Sequence, residues 1–238
     1  MISFIVPAYN EEQHLARALG AIHDAAATTG ERYEIVVADD ASTDRTADIA
    51  AAVGARVVRV QKRQIAATRN AGAQAASGNI LFFVDADTMV TPDIVGAALR
   101  ALDDGAVGGG ALIRFDGPQP FYFRAMTEVA VLVSRVMRLA FGCFMFVKRE
   151  AFDAVGGFDE RLFAGEELAL SRALKGRGRF VILAQRVITS GRKSRAHTAR
   201  EVWRALGLAG LQMVGLKRSR QGLDTWYGGR RHDPGSPH

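Results

Sequence analysis

Short apolar runs alternate with longer amphipathic stretches over the first hundred residues, each junction marked by Gly, Pro, Asp or Asn. Ile2–Val6 predicts a buried strand, stopped by Pro7. Glu11 to about Ala27 is rich in Ala and Leu and predicts a helix, with Asn10 as its cap and acids in its first turn. Glu34–Ala38 predicts a second strand, Asp39–Asp44 a loop, and Asp44–Ala52 a short helix. Arg56–Val60 follows as a third strand, Ile65–Ala76 as a helix, and Ile80–Val84 as a fourth strand stopping at Asp85. Pro92 suits the first turn of a helix running to about Leu102. Strands alternating with helices of this length imply βαβ units and a parallel sheet. Continuously apolar strands imply helices on both faces. Such a sheet binds ligands beyond the carboxyl ends of its strands. Polar clusters follow three of them: Tyr9-Asn10-Glu11, Asp39-Asp40 and Asp85-Ala86-Asp87.

The second half is less regular. Ala111–Phe115 and Phe144–Val147 predict strands, Tyr122–Ala140 a helix, and Gly156–Glu160 a loop. Gly165 to about Leu174 is helical, and Phe180–Leu183 and Arg186–Thr189 predict two short strands. Glu201–Leu216 has an apolar side but contains three glycines, and the chain from Arg218 onward reads as a disordered basic tail. The implied organisation is one domain over 1–217, with a regular half over 1–104 and a less regular half over 105–217, followed by a tail over 218–238.

Apolar residues make up 48% of the 238, an ordinary globular share. The single cysteine, Cys143, permits no intrachain disulfide and suits a reducing, cytoplasmic setting. Met1–Glu12 does not read as a secretory signal. The longest apolar stretch, around 129–147, is interrupted by Arg135 and Arg138 and falls short of a membrane span. Charge is unevenly placed. Residues 171–238 carry 15 Lys+Arg against 3 Asp+Glu, whereas residues 1–170 carry 16 against 22. A basic segment of this kind meets either solvent or an anionic partner, such as phosphate or acidic lipid headgroups.

Asp85-Ala86-Asp87 carries the sharpest chemistry. A strand would set both carboxylates on one face, where they could hold Mg²⁺ or Mn²⁺ that keeps waters and takes phosphate oxygens. The bland alternative is a polar loop. Asp39 or Asp40 could accept hydrogen bonds from a ribose or a base imide, or simply be solvated. Tyr9 could stack on a base or only pack. Glu166-Glu167 opens a helix; adjacent carboxylates are expected on different faces, so only one should enter a cleft as a general base. The alternative is favourable acidic charge at a helix start. There is no Gly-x-Ser-x-Gly, no P-loop and no zinc spacing among the histidines.

Taken in order, these pieces resemble the family 2 inverting glycosyltransferases, of the A-type fold. The matching segments are Ile5–Glu12, Val37–Asp44, Arg69–Gly72, Gly78–Asp87, Gly156–Glu160 and Gly165–Glu167. The resemblance spans about residues 1–195 and implies a UDP- or GDP-sugar donor. It implies that Pro7, Tyr9 and Glu11 line the nucleotide pocket, that Asp40 reads the base and that Arg69 lies near the nucleotide. Asp85, Ala86 and Asp87 would handle the ribose, the diphosphate and the divalent metal, with Asp85 and Asp87 as metal ligands. Glu166-Glu167 stands where the family usually has Glu-Asp, which makes Glu167 the base, with Glu166 beside it. The family's processive members carry Gln/Arg-x-x-Arg-Trp and membrane helices, and this chain has neither. Arg192 and Lys193 could neutralise the departing diphosphate instead.

The resemblance therefore implies metal-assisted, inverting transfer from a nucleotide sugar to a hydroxyl of a saccharide, lipid-linked or small acceptor. A nucleotidyltransferase is the nearest rival, but its first loop would be glycine-rich and basic, whereas this one is acidic. A non-catalytic nucleotide-sugar module is a second rival, opposed by intact Asp85, Asp87 and Glu167. No nucleic-acid partner is expected, because the basic third lacks interleaved aromatics. Trp203 between Arg200 and Arg204 suggests peripheral contact with an anionic membrane at its inner face.

Overall fold

A computed structural model describes residues 1–192. The chain runs β1 (Ile2–Ala8), α1 (Leu15–Ala27), β2 (Tyr33–Asp40), α2 (Thr46–Ala52), β3 (Arg56–Val60), α3 (Ile65–Ala75) and β4 (Ile80–Val84). It continues through β5 (Thr88–Met89), α4 (Pro92–Asp103), β6 (Ala106–Phe115), α5 (Phe121–Met137), β7 (Phe144–Lys148), α6 (Arg149–Ala154), α7 (Glu166–Lys175) and β8 (Arg179–Thr189). All eight strands join one sheet in the order β3-β2-β1-β4-β7-β6-β8-β5.

The expected α/β fold is present, with helices on both faces. All seven residues of β1 are buried, and alternation along the strands divides them between two cores. Ile2, Phe4, Val6, Phe82, Val84, Phe144 and Phe146 pack on one face with Leu15, Leu19 and Ile22 of α1 and Ile94, Val95 and Leu102 of α4. Ile5, Leu81, Phe83, Met145 and Val147 pack on the other with Phe152 of α6, Phe158, and Leu170 and Leu174 of α7. Gly109 lets β6 pass close to β7: a Cβ there would lie 2.5 Å from the Phe146 ring.

The sheet is only half parallel. β1, β2, β3 and β4 pair in parallel, but β7 runs antiparallel to both β4 and β6, while β6 and β8 are parallel. The βαβ rhythm ends at α4, and the later strands are joined by connections that let neighbours reverse. The two short strands expected at 180–189 are one, β8, with a register shift opposite Ala111–Leu112 that the break in apolar pattern had suggested was a gap. Pro7 does not end β1. The β1–β4 pairing stops at Ile5, so beyond it β1 has β2 alone beside it, where a proline is tolerated. Asn10 does not cap α1, which starts four residues later than expected. Its φ is 53° and its Oδ1 accepts from the Thr43 amide at 2.8 Å. Asp39 and Asp40 belong to β2 rather than to a loop. The stretch at 201–216 and the tail from 218 lie outside the described residues.

Candidate active site

β1 is flanked by β2 on one side and β4 on the other, so a crevice opens beyond the carboxyl ends of β1 and β4. The loops that rim it are tied together. The amides of Asn10, Glu11 and Glu12 donate to Ser42 Oγ, Thr46 Oγ1 and Asp44 Oδ2 at 2.9, 2.8 and 3.2 Å, which joins the β1 loop to the β2 loop. Asp40 does the same between β2 and α3. Its Oδ1 accepts from the Lys62 and Arg63 amides at 2.6 and 2.9 Å, and its Oδ2 from the Thr68 hydroxyl at 3.0 Å. The loop so held places the Arg63 guanidinium 4.0 Å over the Tyr9 ring. Sequence reasoning missed Arg63, because stacking between residues 54 positions apart leaves no local signal.

Asp85 and Asp87 do not lie on a strand face. β4 ends at Val84, and the two acids sit in a turn closed by the Thr88 amide donating to the Asp85 carbonyl at 3.0 Å. The turn aims them at two different arginines. Arg69, on α3 and wholly buried, donates from Nη2 to Asp85 at 2.8 Å and to the Gly142 carbonyl at 3.0 Å. Its Nη1 donates to Glu166 at 2.9 Å and to Glu167 at 3.0 Å. The expectation that only one of the two glutamates could enter the cleft is therefore wrong. Gly165, at φ 77°, starts α7 so that its first turn faces Arg69, and two long side chains converge on one guanidinium nitrogen. Arg192, just past β8, forms a fork on Glu11 at 2.6 and 2.7 Å and reaches Asp87 at 3.1 Å; Thr189 donates to Asp87 at 3.2 Å. Lys193 lies outside the described residues.

Five carboxylates thus surround two arginines. Burial pushes the Glu166 carboxyl well above the usual range, and the adjacent Glu167 adds to this. Burial works the same way on Glu167, but Arg69 and hydrogen bonds from its own helix amide outweigh it and hold Glu167 below the usual range. Of the pair, burial favours the proton on Glu166, while Arg69 favours the charge on Glu167. Burial also raises Asp85 despite Arg69, with Asp87 and Glu167 contributing in the same direction. Among the described residues no three His, Cys, Asp or Glu side chains cluster to hold a metal alone. Asp85 and Asp87 nevertheless suit Mg²⁺ or Mn²⁺, which take few carboxylates and fill the remaining positions with phosphate oxygens and water. Across the cluster the carboxylates outnumber the two arginines, a balance of the sign such an ion would offset.

The profile of the family described as Glycosyl transferase family 2 matches residues 3–156, well over half of the chain. The chain belongs to this family. Dolichol-phosphate mannosyltransferase from Pyrococcus furiosus is 28% identical over 148 residues, covering 57% of this chain and 40% of that protein. The chain spans about half the length of the curated relatives it matches. Among solved structures, a mannosyltransferase from Pyrobaculum calidifontis in complex with GDP-Man and Mn²⁺ superposes with TM-score 0.69 at 18% identity, covering 96% of this chain and 72% of that one. Glucosyl-3-phosphoglycerate synthase from Mycobacterium tuberculosis, with Mn²⁺, UDP and phosphoglyceric acid, gives TM-score 0.62 at 21% identity over 92% of this chain and 80% of its own. These likenesses establish the A-type glycosyltransferase fold. The family profile ends at residue 156, short of Glu166, Glu167 and Arg192, so it covers Arg69 and the Asp85–Asp87 turn but not the side chains that face them.

Proposed function

We propose that this family 2 chain is an inverting glycosyltransferase that moves a sugar from a UDP- or GDP-sugar to a hydroxyl acceptor. The observation that carries the reading is Arg69, which joins Asp85 of the turn after β4 to the Glu166–Glu167 pair at the start of α7. One guanidinium thereby holds the acids suited to the leaving-group side and those suited to the nucleophile side around a single crevice. Residues 1–104 would bind the donor and 105–217 present the acceptor, with 218–238 as an appended tail. Pro7, Tyr9 and Glu11 would line the nucleotide, with Tyr9 and Arg63 beside the base. Asp40 would read the base through Oδ2, the oxygen that holds a single bond.

Asp85 and Asp87 would hold the divalent cation, with Ala86 between them, and the cation would supply charge neutralisation at the diphosphate. Arg192 spans Glu11 and Asp87 and stands ready to exchange a carboxylate for a donor phosphate. Lys193 follows it directly in the chain. Glu167, kept ionised by Arg69, takes the proton of the acceptor hydroxyl as that oxygen bonds to the anomeric carbon. The bond from that carbon to the diphosphate oxygen breaks with its electron pair on the nucleotide, and one displacement inverts the centre. Glu166, whose carboxyl burial raises, positions Glu167 through their shared Arg69.

Similar proteins support the donor class: the Pyrobaculum calidifontis structure holds GDP-Man and the Mycobacterium tuberculosis structure UDP. They support a lipid-phosphate acceptor less directly, through the name dolichol-phosphate mannosyltransferase. No helix among the described residues is long and apolar enough to cross a membrane. A cytoplasmic, peripheral position at an anionic membrane is part of the proposal. The decisive test is a donor screen of UDP- and GDP-sugars with Mn²⁺, with Mg²⁺ and with chelator, following nucleotide release and thermal stabilisation. Release from one donor class, lost with chelator, is expected; no stabilisation by any donor or nucleoside diphosphate sinks the reading.

A further inference from the structure

Apart from Met1, every exposed large hydrophobic residue among the described residues lies on one helix, α5. Phe121, Val129, Leu132 and Val136 are exposed by 84%, 62%, 61% and 74%. With Ala125 they recur at i, i+4, i+8, i+11 and i+15, a single stripe about 22 Å long on a straight helix. The opposite side, through Phe123, Val131 and Ser134, packs on the body of the protein. The stripe is bordered by Arg124 and Arg135, both exposed, and the helix ends at exposed Arg138. Its one acid, Glu128, is paired with Arg186 of β8 at 2.9 Å. An apolar stripe of this extent on a surface helix marks an interaction site.

We infer that the outer face of α5 docks on an anionic lipid surface, with the stripe in the interface and the arginines among the headgroups. Charge selects this occupant over two others. A second copy of α5 would bring the same arginine border against itself, with no acid of its own left unpaired. The chain beyond Arg192 carries 9 Lys+Arg against 3 Asp+Glu and is basic like the border it would have to cover. Anionic headgroups alone complement both the stripe and its rim.

Position gives the contact a purpose. The segment leaving α5 runs directly into the candidate site: the Ala140 amide donates to Ser171 of α7 at 3.1 Å, the Gly142 carbonyl accepts from Arg69, and the Cys143 carbonyl accepts from the Asp85 amide at 3.1 Å. A helix lying on a bilayer would set the mouth of the crevice at the lipid surface. This purpose rests on the glycosyl-transfer reading; the docking itself does not.

The test is co-sedimentation of the full chain, without donor or acceptor, with phosphatidylcholine vesicles and with phosphatidylcholine–phosphatidylglycerol vesicles. Binding to the anionic vesicles at low salt is expected. The double variant Leu132→Glu/Val136→Glu should bind about tenfold or more weakly, since two inserted aliphatic side chains become charged. Arg124→Gln/Arg135→Gln should bind more weakly only to the anionic vesicles. All sites are exposed, so thermal melting should be unchanged; Leu132→Ser/Val136→Ser serves if the glutamate variant is unstable. Three outcomes overturn the inference. Absence of wild-type binding leaves the face to the chain's own remainder. Equal binding of wild type and stripe variants assigns the lipid contact to the basic segment beyond Arg192. A wild-type dimer in sedimentation velocity that Leu132→Glu/Val136→Glu dissociates makes α5 an interface between copies. Vesicle binding without nucleotide release from any donor would defeat the proposed transfer alone and leave the docking standing.

Discussion

Arg69 and Arg192 sit on either side of the same three-residue turn, yet they are built differently. Arg69 comes from the middle of α3 and is 1% exposed; it meets three carboxylates and a carbonyl. Arg192 comes from the chain just past β8, is buried too but 9% exposed, and meets two carboxylates. Burial would lower the proton affinity of each guanidinium, but the surrounding acids more than reverse this, so both stay charged. The difference teaches which charge is structural and which is exchangeable. A fully enclosed cation cannot leave its acids without stranding them, whereas one at the rim can trade a carboxylate for a phosphate.

The sharpest way to break this comparison is to neutralise the acids on the Arg69 side. Glu167→Gln should lower kcat by about 10²–10⁴-fold and leave donor affinity within a few-fold, because a base acts in the transition state. Glu166→Gln should retain most transfer, since glutamine keeps an oxygen that can accept from Arg69 and leaves Glu167 in place. Single-turnover rates and donor titrations check both, and the reverse pattern would exchange the two roles. Removing the cation comes next. Arg69→Met should destabilise the fold by about 3–5 kcal/mol, the range for a buried ion pair that loses one partner. Arg192→Met, at the rim, should cost clearly less in thermal or denaturant unfolding and act mainly by raising the donor KM. Equal destabilisation by the two substitutions would erase the distinction drawn between them.

Smaller effects sharpen the same contrast. Chelation should weaken nucleoside diphosphate binding in calorimetry, and more so for Arg192→Met, which has lost the other positive charge at Asp87. Glu166 is raised in the folded state, so its contribution to stability is present below the ordinary glutamate range and is lost as pH rises through its folded value. The unfolding free energy of Glu166→Gln should therefore fall less than that of wild type between mildly acidic and neutral pH. Last, the Cys143 thiol is buried and raised by that burial and by Asp85 and Asp87. It should resist thiol reagents in the folded protein and react once denatured.

The parallel half of the fold was legible because each of its elements is specified locally. Apolar runs gave β3 and β4 with their observed bounds, Pro92 gave the start of α4, and the acids after β1 and β4 and at the end of β2 fell at one edge once the strands were parallel. Of the candidate residues there, the structure links Glu11 and Asp87 through Arg192 and sets Asp85 on Arg69. What was misread lay at junctions. Pro7, Asn10 and Asp39 took conformations decided by pairing partners about 30 residues away.

The sequence by itself determined the family, the α/β rhythm and the identity of the acids, since composition, period and motif order are properties of the chain taken one stretch at a time. Tertiary structure alone decided that β7 reverses beside β4, that Glu166 and Glu167 share one guanidinium, and that Arg192 reaches Glu11 across 181 positions. It also decided that the α5 stripe faces outward, although its apolar pattern reads like any core-facing helix. The reason is common to all four. A side chain's charge state, partner and exposure depend on what is packed against it, and those neighbours come from elements whose order in space no local pattern encodes.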